Sequence, residues 1–89
     1  MYRYKFIGYL KTNEDVEFWY NSQEVMPWRL SYRNAGRYFA SVEALTGYCY
    51  GRRWINGYQV DLLADQLEAN ANSILIYEPK PRYKRNYRR

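Results

Sequence analysis

From Tyr2 to Lys11 the chain alternates. Tyr2, Tyr4, Phe6, Gly8 and Leu10 fall on one side of an extended backbone, and Arg3, Lys5, Ile7, Tyr9 and Lys11 on the other. A period of two carried by Tyr and Phe predicts a strand. Gly8 interrupts it and marks either a bulge or a close backbone approach. Residues 12–15 are polar and turn-like; Val16, Phe18 and Tyr20 then alternate against Glu17 and Trp19, so the two blocks predict a hairpin. After a polar break at residues 21–24, a third strand is expected from about residue 25 to 33, with Trp28, Leu30 and Tyr32 opposite Arg29, Ser31 and Arg33. Pro27 cannot donate to a ladder, which delays this strand or places it at an edge. Asn34, Ala35 and Gly36 give a turn signal; Tyr38 and Phe39 leave room for a brief extension of the meander.

At Ser41 the period changes. Ser41 suits an N-cap and Glu43 the first turn of a helix, with Leu45, Tyr48 and Cys49 on one side. Gly51 ends that helix, and Asn56 or Gly57 opens a second. Val60, Leu63, Ala64, Leu67 and Ala71 then form one stripe at helical spacing, with Asp61, Asp65 and Glu68 on the opposite side. Ser73-Ile74-Leu75-Ile76-Tyr77 reads as a short buried strand, stopped by Pro79 and Pro81. The order is β-β-β-α-α-β. The economical architecture is an α+β domain over residues 1–78: a three- to four-stranded antiparallel sheet with two helices packed on one face, followed by a basic tail at 79–89.

Composition sharpens this picture in two ways. Aromatic residues make up 20% of the chain and Tyr alone supplies 12 of 89. A small sheet covered on one side therefore leaves rings on the other, whichever register holds, and exposed aromatic area points to a binding surface. The net charge of +5 is also uneven. The tail holds six of the 14 basic side chains and no acidic one, leaving eight basic and nine acidic residues before it. Such a tail attracts nucleic acid, an acidic partner or an anionic surface.

Catalytic chemistry has little to work with. There is no His, so imidazole catalysis and imidazole–metal sites are absent. Ser41 reads as a cap and Cys49 as a small buried side chain. Asp61, Asp65 and Glu68 read as a solvated helix face rather than a metal site. No cofactor, metal site or enzymatic activity is expected. A single Cys excludes an internal disulfide and fits a reducing compartment, and no stretch has the length and apolarity of a membrane span; a cytoplasmic location is expected.

Two stretches resemble a known family. Lys5-Phe6-Ile7-Gly8-Tyr9-Leu10 is similar to the first strand, and Phe39-Ala40-Ser41-Val42-Glu43-Ala44-Leu45 followed by Tyr50-Gly51 to the helical half, of small phage anti-CRISPR proteins that inhibit the type I-F surveillance complex. The resemblance spans roughly residues 4–70, and the element order fits it. It implies a stoichiometric inhibitor in the cytoplasm of a bacterial host, seated on the Cas7 backbone along the guide RNA and stopping target DNA from hybridising. It also implies contacts from tyrosines of the first two strands, which here match Tyr9 and Tyr20. The family's acidic contact residue has no counterpart; Ser31 and Tyr32 occupy that region. The expected partner-binding set is Tyr9, Trp19 and Tyr20 as aromatic anchors, with Arg29 and Arg33 as polar contacts. The rival expectation is a small basic nucleic-acid-binding protein. It would use Lys80, Arg82, Tyr83, Lys84, Arg85, Tyr87, Arg88 and Arg89, cations for phosphates and rings for bases. The same tail would be placed to touch guide RNA.

Overall fold

A computed structural model describes residues 3–72. The strand expected at 73–77 and the tail at 79–89, with all eight of its candidate contact residues, lie outside the described residues. Four strands come first: β1 (Lys5–Leu10), β2 (Asn13–Tyr20), β3 (Trp28–Tyr32) and β4 (Ala35–Phe39). Two helices follow, α1 (Val42–Gly51) and α2 (Gly57–Ala71). The strands form one antiparallel meander in the order β1-β2-β3-β4. Both helices cover the same face, so the α+β class and the one-sided packing hold. Among the described residues no helix is long and apolar enough to cross a membrane.

The first strand departs from plain alternation. Phe6 pairs with Trp19, but Gly8 pairs with Phe18, so Ile7 and Gly8 together oppose one residue. This is a β-bulge, and Gly8 adopts φ +148° to make it. The extra residue resets the faces. Ile7 and Leu10 both enter the core, whereas the alternation had set them on opposite sides. A second register shift follows between Tyr9 and Leu10, beside the two-residue connection to β2.

The third strand starts late, at Trp28. Val25 stands fully in solvent ahead of Pro27, and the Pro27 carbonyl accepts from Asn21 N–H at 2.9 Å, closing the loop instead. The last hairpin turns one residue earlier than its Asn-Ala-Gly signal: Arg33 (φ 50°) and Asn34 (φ 70°) are the turn, and Ala35 and Gly36 already belong to β4. Positive φ at both central positions matches the turn that suits the twist of two adjacent strands.

The helix ends follow their caps. Ser41 Oγ accepts from Ala44 N–H at 3.1 Å. Asn56 and Gln59 form a reciprocal capping box, with bonds of 3.1 and 2.8 Å. Leu45 and Cys49 of α1 and Leu63 and Leu67 of α2 meet Ile7, Val16, Phe18, Trp28 and Leu30 from the sheet. Val60, Ala64 and Ala71 flank this core half-buried, so the whole predicted α2 stripe faces it. Thr46, buried among them, donates to the Val42 carbonyl at 3.1 Å, which satisfies its hydroxyl. Asn70 Nδ2 donates to the Ile7 carbonyl at 3.2 Å, tying the end of α2 to the bulge.

Candidate interface on the open sheet face

Because the helices take one side, every residue of opposite parity faces away from them. Strand register then assembles a row. Phe6 lies opposite Trp19, Trp19 opposite Arg29, and Arg29 opposite Tyr38, one residue from each of the four strands. Beside it runs a second row, Tyr9 opposite Glu17, Glu17 opposite Ser31, and Ser31 opposite Gly36. The first row is three rings and a guanidinium; the second is mostly polar and small.

The rings touch. Phe6 and Trp19 meet edge to face at 5.2 Å between centroids, and Tyr9 lies 6.4 Å from Phe6. At the other end Arg29 Nε donates to Tyr38 Oη at 3.2 Å, with Cζ 5.6 Å from the ring centre. Gly36 makes room for this: a Cβ there would collide with the Arg29 guanidinium. Tyr4, just before β1, packs its ring 5.6 Å from Tyr38 and donates its hydroxyl to the Met26 carbonyl at 2.8 Å. Burial, then the neighbouring Glu24 and Tyr38, raise the Tyr4 phenol above its ordinary pKa, keeping it a donor. Tyr38 is 48% exposed, whereas Phe6, Tyr9, Trp19 and Arg29 are half-buried, held by one another yet reachable.

Of the five residues expected to bind a partner, Tyr9, Trp19 and Arg29 share this face. Tyr20 does not. It points toward the helices, its ring 4.5 Å from Trp28 and packed against the core. Arg33 sits in the β3–β4 turn, paired with Asp15 at 3.6 Å and lying over the Tyr32 ring at 5.1 Å. Phe6, Tyr38 and Gly36 complete the face and escaped the sequence-based set. Phe6 was hidden because plain alternation parts it from Tyr9. The signal for Tyr38 was the Arg33–Asn34 turn, which fixes its register against Arg29.

Comparison with known proteins finds no matching family model, no matching curated relative and no matching solved structure. A functional reading therefore stands on surface chemistry.

Nucleophilic chemistry has little support among the described residues. Burial pushes the Cys49 thiol from 9.0 up to about 12, so thiolate is negligible at neutral pH. Ser41 Oγ is engaged as the α1 cap. Asp61, Asp65 and Glu68 stand exposed along α2, and among the described residues no three His, Cys, Asp or Glu side chains converge as a metal site would require.

Proposed function

We propose that this protein acts by occupancy, docking the open face of its sheet on a macromolecular partner. The observation that supports this is the Phe6–Trp19–Arg29–Tyr38 row: large rings held by neighbouring strands, with an arginine among them. Aromatic and arginine side chains of this kind supply most of the energy at protein interfaces. Rings fixed by their neighbours have little rotamer freedom left to lose on binding. The partner class that the sequence resemblance implies is the Cas7 backbone of a type I CRISPR surveillance complex, where a seated protein would block target DNA binding.

The test is a plasmid-interference assay across type I subtypes, paired with pull-down of effector subunits by the tagged full-length chain. Wild-type chain restores plasmid uptake in at least one subtype and captures its backbone subunit. Trp19→Ala and Tyr38→Ala lose both while keeping a wild-type circular dichroism spectrum. Capture that survives both substitutions would place the interface elsewhere. Failure to inhibit any subtype would remove this partner class. Nucleic-acid binding that is abolished when the tail cations become Gln would favour the basic-tail alternative.

A further inference from the structure

A second surface lies on the helix side of the sheet, where the β3–β4 hairpin meets the end of α1, and the open-face reading does not use it. Three rings form its floor: Trp54 lies 4.9 Å from Tyr32 and 5.9 Å from Tyr48. Arg52 lies over all three, its Cζ 5.0 Å from the Trp54 ring, 5.8 Å from Tyr32 and 5.9 Å from Tyr48. Arg37 lies 5.1 Å over Tyr48 from the edge strand β4, and Arg33 flanks Tyr32. Arg53 follows, lining an open cleft of about 630 Å³ with Tyr50, Trp54 and Asn56. Tyr50 is 54% exposed at its rim.

The charge balance is one-sided. Asp15 pairs with Arg33, but among the described residues no carboxylate lies within ion-pair distance of Arg37, Arg52 or Arg53. The negative end of α1 accounts for one neighbouring cation, and an inward-pointing Arg37 protects an edge strand. Neither accounts for three unneutralised guanidinium groups together. Stacking engages the faces of the Arg37 and Arg52 guanidinium groups; Arg52 Nη1 also donates to Tyr48 Oη at 3.4 Å, and the remaining in-plane N–H donors present a fork that fits a phosphate. Fixing the fork in advance reduces the entropy lost on binding. An exposed ring beside such forks is the usual complement for a base.

We infer that Arg37, Arg52, Arg53 and Tyr50 form a binding site for single-stranded nucleic acid, the arginines taking successive phosphates and Tyr50 a base. The site stands apart from the open face and does not depend on the docking reading.

The test is fluorescence anisotropy with a labelled 12-nucleotide oligouridine and the full chain across a salt series. Arg37→Gln/Arg52→Gln/Arg53→Gln is expected to weaken binding at least 10-fold and to flatten the slope of log K against log salt by about 2, at roughly 0.7 per phosphate contact. Tyr50→Ala weakens it about 10-fold with the slope unchanged. Because Arg52 bridges three rings, Arg37→Gln/Arg53→Gln keeps the Arg52 stack and loses only the Arg37–Tyr48 contact; it flattens the slope by about 1.4 and lowers the melting temperature by less than about 8 °C. Trp19→Ala leaves oligouridine binding as it was. Wild-type affinity and slope in the arginine variants would overturn the assignment. So would absent binding by the wild-type chain, or a duplex bound as tightly as the single strand and insensitive to Tyr50.

Discussion

Replacing Gly8 with Ala isolates the feature that sets which side chains β1 gives to each face. The backbone at Gly8 has φ +148°, where an L-residue is strained by roughly 1–3 kcal/mol. Room is not the obstacle. The nearest heavy atom to an added Cβ would be Asn70 Nδ2 at 3.8 Å, an ordinary contact. Ala also returns about 0.5–1 kcal/mol by restricting the unfolded chain. The two ranges leave a net loss of about 0–2.5 kcal/mol, with a midpoint near 1 kcal/mol. A chain of 89 residues carries on the order of 4–13 kcal/mol of total stability. In a domain this size a loss at that midpoint lowers the melting temperature by about 4–8 °C. Urea titration and calorimetry of wild type, Gly8→Ala and a semisynthetic chain with D-Ala at the same position separate strain from bulk. D-Ala accepts this φ, so it matches or exceeds wild type. If L-Ala were as stable as Gly, or if both enantiomers destabilised equally, the bulge would not depend on the glycine's φ.

Other consequences follow from single contacts. Gly36→Ala evicts the Arg29 guanidinium from its place beside Tyr38. The lost hydrogen bond and cation–π contact, about 1–2 kcal/mol together, are largely offset by the gain of Ala over Gly, so the melting temperature stays within about 5 °C while partner capture falls. The Cys49 thiol is protonated when folded up to about pH 12, whereas the unfolded thiol loses its proton near 9.0. Its contribution to stability is complete below pH 9 and is lost as pH rises from 9 to 12. Comparing the urea midpoints of wild type and Cys49→Ala across that range reads this difference. At pH 8, native chain resists a thiol reagent that modifies Cys49 rapidly in 6 M guanidinium. Asn56→Ala removes the bond from Gln59 N–H to the Asn56 amide oxygen, leaves the Asn56 backbone N–H free to donate to Gln59 Oε1, and lowers stability by about 1 kcal/mol, measured by the same urea titration.

Most of the fold was legible because its signals are local. Ser41 and Asn56 announce helix starts through hydroxyl and amide chemistry, and the α2 stripe repeats often enough to fix its buried side. In β2 and β3 alternation gave the faces correctly, since Val16, Phe18, Trp28 and Leu30 all reach the core. The losses came where one residue shifts register. Gly8 was recognisable as an interruption, but nothing local says which side its extra residue takes. That choice is made by Ile7 and Leu10 entering the core together and by Asn70, 63 positions away from Ile7, meeting the freed carbonyl. The turn at Arg33 and Asn34 was missed for a similar reason, because neither residue carries the glycine signature that Gly36 displays two positions later.

The same logic explains why the candidate face was half visible. Trp19 and Arg29 lie on strands with unbroken alternation, and their placement follows from pattern alone. Tyr9 reaches the open side only because the bulge turns it there beside Phe6, so a side-chain pairing across β1 depends on a backbone torsion at Gly8. Tyr20, one position from Trp19, goes to the other side by the same parity and spends its ring on Trp28. Composition promised rings on an uncovered sheet; register decides which rings. The Arg37–Arg52–Arg53 cluster lay beyond both kinds of reading, since its members are brought together by the hairpin end and the α1–α2 turn, which no periodicity connects. A surface assembled across three elements becomes visible only when the helices have been laid on the sheet.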